Sequence, residues 1–312
     1  MGKIILKRIL WLGCVGLITF TIIPNVFPDF WIFDLFAHFK LQYIFLAILL
    51  LIPVFTIRKY RGIAIGLLLI SIFWNGYYIY PYYFTSNETI EKSTPDLKIS
   101  SINLLSSNTN FRATEAYILN ENPDILILIE FNNNWQKNLE KILKNYPYKN
   151  LLPRNDNFGI AVLSKVDMKM SIEYFGKNST PSILGNFSIS NKKVSLLATH
   201  PEPPLSQKNL EIRDSQLQAI KDLYKNKQEY FVMAGDFNTS SFSNVFGRLT
   251  AESIKDTRLG FGLLPTWPEG FFPLQTTLDH CLVSENIEVI SRSTGNNLGS
   301  DHLPITVELH FN

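Results

Sequence analysis

Several apolar runs in this chain end on a side chain able to do chemistry. Ile-Ser-Ser-Ile-Asn closes on Asn103, and Asp-Ile-Leu-Ile-Leu-Ile-Glu closes on Glu130. Val-Ser-Leu-Leu-Ala-Thr-His closes on His200, and Tyr-Phe-Val-Met-Ala-Gly-Asp-Phe-Asn on Asp236 and Asn238. Thr-Leu-Asp-His supplies Asp279, and Gly-Ser-Asp-His supplies Asp301 and His302 where the last run opens. Asp236 and Asn238 are two apart and share a side if the strand continues. Gathered at one edge, Glu130, Asp236, Asp279 and Asp301 repel one another. A hard divalent cation, Mg²⁺ or Mn²⁺, relieves that repulsion through oxygen ligands. Zinc fits less well, since no cysteine joins the set and only two histidines are well placed. Taken singly, a Glu after a strand is more often a loop residue or cap, and a lone His more often a satisfied structural group. The joint pattern is far more specific than its members.

The elements that must position these residues are short strands and a few helices. Strands are expected over 97–104, 124–130, 159–165, 182–188, 194–200, 230–236, 277–284, 288–291 and 302–309. Helices are expected over 111–120, 133–144 and 206–224, with Thr109 or Asn110 capping the first. Strands outnumber helices, and several adjoin without a helix between them. That predicts a layered α/β (α+β) sandwich rather than a doubly wound parallel sheet. Residues 96–312 suffice for one core of two packed sheets.

The chain before residue 86 is of another kind. Of 29 basic and 27 acidic residues, it holds seven basic (Lys3, Lys7, Arg8, Lys40, Arg58, Lys59, Arg61) and two acidic (Asp29, Asp34). That leaves 22 against 25 for residues 86–312, a mildly acidic remainder. A basic nucleic-acid-coating domain is thereby excluded, and 46% hydrophobic composition excludes a mainly disordered chain. The two cysteines, Cys14 and Cys281, are expected to be buried thiols. Uncharged runs over 9–23, 41–57 and 63–80 predict three transmembrane helices, because a bilayer core takes about 20 helical residues. Residues 1–85 thus read as a membrane anchor, 86–95 as a tether and 96–312 as a catalytic domain. Lys3, Lys7 and Arg8 lie on the same side as Arg58, Lys59 and Arg61. The positive-inside tendency makes that side cytoplasmic, and the domain extracytoplasmic on a multi-pass plasma (inner) membrane.

Asn103, Glu130, Thr-His-Pro at His200, Gly-Asp-Phe-Asn, Leu-Asp-His and Ser-Asp-His follow one another in an order that resembles the endonuclease/exonuclease/phosphatase (DNase I-like) superfamily. The resemblance covers residues 96–310, and the anchor makes the whole similar to a membrane-anchored bacterial branch. It implies a four-layered DNase I-like sandwich of two packed β-sheets flanked by helices. It also implies a divalent-metal-dependent phosphoesterase using Mg²⁺ or Mn²⁺, hydrolysing phosphodiester or phosphomonoester bonds by water attack. By the resemblance Glu130, Asn103 and Asp301 hold the metal. His302 is the catalytic histidine and Asp279 its partner, and Asp236 handles the attacking water. Asn238 and His200 hold phosphoryl oxygens. The general base stays open between Asp236 and His302. Ile129 stands where many nucleases of the family have Gln. Arg213 and Gln216 match an Arg-x-x-Gln pair, implying substrate contact by Arg213, against a structural salt bridge. Trp267 is read as a core residue, with a place in the pocket wall as the alternative. The expected substrate is nucleic acid, or alternatively a lipid phosphate or polyprenyl diphosphate; a non-catalytic scaffold fits poorly, since no expected position is lost. The bilayer is the expected partner, and no protein partner is predicted.

Overall fold

Ile125–Ile129 is aliphatic throughout and buried on both sides, so its alternating side chains must meet two separate cores. Ile125, Ile127 and Ile129 pack into a central cluster between two sheets, while Leu126 and Leu128 pack outward beneath helices. In this computed structural model, which describes residues 2–57, 59–85, 94–177, 179–225, 230–251 and 253–311, that arrangement recurs on both sheets.

The first sheet contains β1 (Leu97–Asn103), β2 (Ile125–Ile129), β3 (Tyr148–Leu152), β4 (Ile160–Ser164), β11 (Ile287–Thr294) and β12 (Ile305–Phe311), in the order β11-β12-β1-β2-β4-β3. The second contains β5 (Met168–Tyr174), β6 (Pro181–Ile189), β7 (Lys192–Thr199), β8 (Tyr230–Asp236), β9 (Ile254–Asp256) and β10 (Asp279–Ser284), in the order β5-β6-β7-β8-β10-β9. β1 with β2 and β7 with β8 are parallel; the other neighbours are antiparallel. Helices α5 (Phe111–Glu121), α6 (Asn133–Asn138) and α7 (Glu140–Lys144) cover the first sheet, and α8 (Gln207–Lys225) and α9 (Asn244–Leu249) the second. The result is the expected four-layered sandwich.

Three segments are long and apolar enough to cross a membrane: Ile5–Val26, Trp31–Val54 and Arg61–Phe84. The first and third are α1 (Gly2–Val26) and α4 (Arg61–Phe84). The second is broken into α2 (Trp31–Phe36), a 3₁₀ turn at Ala37–Phe39 and α3 (Lys40–Val54). It therefore begins earlier than the run expected over 41–57. Thr21 and Ser71 hydroxyls lie 2.8 Å apart, and Asn75 Nδ2 donates to Thr21 Oγ1 at 3.1 Å, which joins α1 to α4 away from water. Most of the expected tether, residues 86–93, and Arg58 lie outside the described residues.

Other differences have local causes. The helix expected over 133–144 breaks at Leu139 into α6 and α7. Asn132, not a residue before α5, supplies a side-chain cap, accepting from Trp135 N at 3.0 Å. The strand expected from His302 begins at Ile305, because Ser300 Oγ turns the loop by accepting from His302 N at 3.1 Å. β3, β5, β9 and α9 are additional to the elements expected.

Candidate active site

Side-chain parity carries most of the site. Val194, Leu196 and Ala198 of β7 face the central core, and His200 continues their series just past the strand. Val232 and Ala234 of β8 do the same for Asp236, and Cys281 and Val283 of β10 for Asp279. On the other sheet Leu97 and Ile99 precede Asn103 on the inward face of β1. Four polar side chains thus emerge between the sheets at one end of the sandwich. Register brings two together, since Asp279 of β10 pairs with Asp236 of β8.

Glu130 has the opposite parity from the inward series of β2. It takes φ 57, in the left-handed region, just after β2 ends on Ile129. Ser106 holds it there: its N and Oγ donate to Glu130 Oε2 at 2.9 and 3.0 Å. Asn238, at φ 49, is turned by its own N–H donating to Asp236 Oδ1 at 2.9 Å. The glycine of Gly-Asp-Phe-Asn has a steric cause. Gly235 has φ +144, and a Cβ there would stand 2.0 Å from Thr199 O, beside His200. Gly299 of Gly-Ser-Asp-His has φ +88, with Asn108 Oδ1 2.6 Å from its would-be Cβ.

Asp236 Oδ2 is the centre of the cluster. Asn103 Nδ2 donates to it at 3.1 Å, and His200 Nε2 and His302 Nε2 each lie 3.6 Å away. His302 Nδ1 meets Asp279 Oδ2 at 2.7 Å. His302, Asp236 and Asp279 are all buried. Burial pulls the His302 imidazolium down, but Asp279 and Asp236 outweigh it and hold it up to about 10. The two carboxylates thus favour the charged ring, with Nδ1 hydrogen-bonded to Asp279 and Nε2 facing Asp236. Burial pushes the Asp236 carboxyl up against the pull of His302 and His200. Asp301 sits at the rim, accepting from Trp267 Nε1 at 3.1 Å. Its backbone oxygen accepts from Glu269 N at 2.7 Å.

Two sets of residues could hold a cation. Among the described residues, Asp236, Asp279 and His302 bring three ligand-type atoms within 4.8 Å of one another. Their close hydrogen bonding suits proton transfer, because Asp279 already occupies His302 Nδ1. The other set is Glu130, Asn103 and Asp301. Glu130 Oε1 has one long contact, from Asn103 Nδ2 at 3.5 Å, and so is open to a hard cation. Asn103 turns its amide nitrogen toward the carboxylates, its Oδ1 accepting from Leu105 N at 3.1 Å. Glu130 offers an open carboxylate oxygen to a divalent cation, Asn103 must rotate to offer its own oxygen, and Asp301 Oδ2 is engaged by Trp267.

Arg213 stands elsewhere. It is fully buried, and its Nη1 donates to Asp34 Oδ2 at 2.9 Å and to Asn238 O at 3.2 Å. Its Nε donates to Asp214 Oδ1 at 2.9 Å. The guanidinium is thus engaged by Asp34 of α2 and a neighbouring carboxylate, the salt-bridge alternative, with no surface left for the implied substrate contact. Gln216 is likewise buried against Thr180 and Thr199. Trp267 is half-buried in the wall beside Asp301 and His302, rather than in the core. Ser106 carried no signal in sequence, since nothing in Leu-Leu-Ser-Ser marks it as the residue that fastens Glu130.

The comparisons agree with this geometry at the level of fold and family. A family model described as Endonuclease/Exonuclease/phosphatase family matches residues 100–302. A humanized D. rerio TDP2 carrying 14 mutations is similar at 20% identity, covering 69% of this chain and 98% of that one, with TM-score 0.60. A family protein from Leptotrichia buccalis C-1013-b is similar at 16% identity, covering 69% and 100%, with TM-score 0.57. The human Nocturnin catalytic domain with bound sulfate is similar at 15% identity, covering 70% and 94%, with TM-score 0.55. No curated protein matches the chain.

Proposed function

This chain belongs to the endonuclease/exonuclease/phosphatase family, and from that premise we propose that it is a membrane-anchored, divalent-metal-dependent phosphoesterase. The observation that carries the reading is the convergence of Asn103, His200 and His302 on one oxygen of Asp236, with Asp279 fixing the far side of His302. That constellation can move a proton and bind an anionic oxygen at the same point. Glu130 and Asp301, with a rotated Asn103, would hold the cation, Mg²⁺ or Mn²⁺, which when bound supplies Lewis-acid polarisation of a phosphoryl oxygen.

The chain's own groups divide the remaining work. Asp236, with its carboxyl raised by burial, accepts the proton of the attacking water at Oδ2. The water oxygen bonds to phosphorus as the bond to the leaving oxygen breaks. His302, charged and held by Asp279, presents Nε2–H to the phosphoryl or leaving oxygen. His200 supports a second oxygen, with Thr180 Oγ1 fixing its backbone by donating to His200 O at 2.5 Å. Asn238 commits one amide hydrogen of Nδ2 to Pro201 O at 2.9 Å, which fixes the amide and leaves its second hydrogen for a phosphoryl oxygen.

Release of p-nitrophenol from its phosphate mono- and diesters by the purified full chain tests this reading. Activity that needs Mg²⁺ or Mn²⁺, stops with chelator and is lost in Asp236→Ala supports it. Chelator-insensitive activity opposes it. We place the domain outside the cytoplasm from the basic residues at the start of α1 and around the α3–α4 turn. A C-terminal reporter active only in the cytoplasm overturns that placement.

A further inference from the structure

The apolar helices dock on the sandwich beside the candidate active site, and their contacts fix a level. Asn25 Nδ2 donates to Tyr78 OH at 3.0 Å, and Lys40 Nζ lies 4.5 Å above the Tyr78 ring. These polar groups of α1, α3 and α4 mark one plane, as aromatic and cationic residues do at a membrane interface. On one side of that plane, Leu12, Ile52 and Phe73 are each 73% exposed on the helix bundle, as lipid-facing side chains are. On the other, α2 and the end of α4 meet the sandwich. Trp31 N donates to Gln207 Oε1 at 3.2 Å, Asp34 pairs with Arg213, and Gly262 N donates to Tyr82 O at 2.7 Å.

The segment from Trp267 to Thr276 bridges this plane and the site. Trp267 and Thr276 pair as an isolated β-bridge, so the residues between them form a protruding tip. At the site end, Trp267 Nε1 donates to Asp301. At the anchor end, Thr276 Oγ1 donates to His38 O at 3.1 Å, and Gln42 Nε2 donates to Gln275 O at 2.9 Å. Gln42 lies in the first turn of α3, two residues past Lys40, so the tip is held at the level of the marked plane. That tip carries Phe271, Phe272 and Leu274, exposed by 52%, 78% and 43%. Leu205, 69% exposed, stands on the segment following His200 and next to Gln207, whose Nε2 donates to Asp29 O at 2.9 Å. Apolar side chains on both flanks of the site are thus tethered to the outer ends of the apolar helices.

We propose that the 271–274 tip and Leu205 enter the bilayer interface, and that the site takes the phosphate ester of a membrane lipid. The proposal rests on the phosphoesterase reading and names its substrate class. The occupant is the bilayer that the helices themselves cross, because the hydrogen bonds from Thr276 to His38 O and from Gln42 to Gln275 O hold the tip at that level. Burying these side chains among acyl chains removes apolar surface from water. A lipid headgroup lying in that plane then reaches Asp236 and His302 without the lipid leaving the membrane.

The experiment uses the full chain in vesicles of phosphatidylglycerol and phosphatidylethanolamine containing phosphatidic acid. Cys14 and Cys281 are buried, so a Phe272→Cys variant accepts an environment-sensitive fluorophore selectively. The label is expected to shift blue and be quenched by lipids spin-labelled near the headgroup. An unquenched, water-like label overturns the insertion, whatever the activity. In parallel, a Phe271→Ser/Phe272→Ser/Leu274→Ser variant is expected to lose phosphate release from phosphatidic acid about tenfold or more. Its hydrolysis of a soluble p-nitrophenyl phosphate should stay unchanged. Soluble hydrolysis by the parent chain with no lipid hydrolysis overturns the lipid substrate while leaving the phosphoesterase reading intact. No hydrolysis of either substrate overturns that reading instead, and the fluorescence still decides insertion.

Discussion

Replacing Asp34 with alanine tests the docking of the apolar helices on the sandwich. Asp34 is 3% exposed and Arg213 fully buried, with Nη1 to Oδ2 at 2.9 Å. Removing one partner of a buried ion pair costs about 3–5 kcal/mol when the other is left uncompensated. Arg213 is not wholly abandoned, because Asp214 lies 2.8 Å from its Nη2. The Asp214 side chain is only 20% exposed, so its retained attraction offsets part of the loss and the cost should fall to about 2–3 kcal/mol. For a chain of this size that is a drop in Tm of about 4–10 °C. The assay is thermal unfolding of the full chain in detergent, followed by tryptophan fluorescence. Asp34→Asn, which keeps an acceptor and loses the charge, should fall between. A cycle with Arg213→Met should show the two substitutions strongly non-additive. The same nitrogen supports Asn238 O, so Asp34→Ala should also slow turnover of a soluble phosphate ester. An Asp34→Ala variant within about 1 °C of the parent would refute the claim that this pair fastens the apolar helices to the sandwich.

Three further outcomes follow from the site. In chelated protein the His302 ring should titrate near 10 by NMR, and Asp279→Asn should move the midpoint down toward the ordinary imidazole range; an unmoved midpoint contradicts the pairing. Since the folded value lies above the unfolded one, the stabilisation is complete below about pH 6.5 and is lost as pH rises through about 10. Ser106→Ala removes the hydroxyl bond to Glu130 Oε2 and should weaken Mg²⁺ binding about tenfold by calorimetry, with unchanged affinity as the contrary result. Gly235→Ala forces a Cβ toward Thr199 O, 2.0 Å away in the present backbone, and should cost more than about 2 kcal/mol of stability, so unaltered thermal unfolding counts against that close approach.

What could be read from sequence was what alternation and strand ends record. Asn103, His200, Asp236 and Asp279 extend aliphatic series whose inward members pack the central core, so parity alone brings them to one edge. Glu130 was legible as a strand terminus but not in its manner of reaching the site, which depends on a positive φ and on Ser106. β9 has three residues and β3 only partly buried side chains apart from an exposed Lys149, so neither writes a periodic pattern. Arg213 lay beyond local reading for a different reason. Its partner Asp34 is 179 residues away in an apolar segment, and no local pattern records such a contact. Trp267 likewise became a wall residue only through its bond to Asp301, 34 residues on.

The most direct measurement is hydrolysis of a phosphodiester by the full chain with Mg²⁺ in water enriched in heavy oxygen, with an Asp236→Ala/His302→Ala variant alongside. The account predicts that the label enters the phosphorus-containing product of the parent chain and that cleavage vanishes in the variant. Cleavage that survives in the variant, or that leaves the phosphorus unlabelled, would contradict water attack at this site.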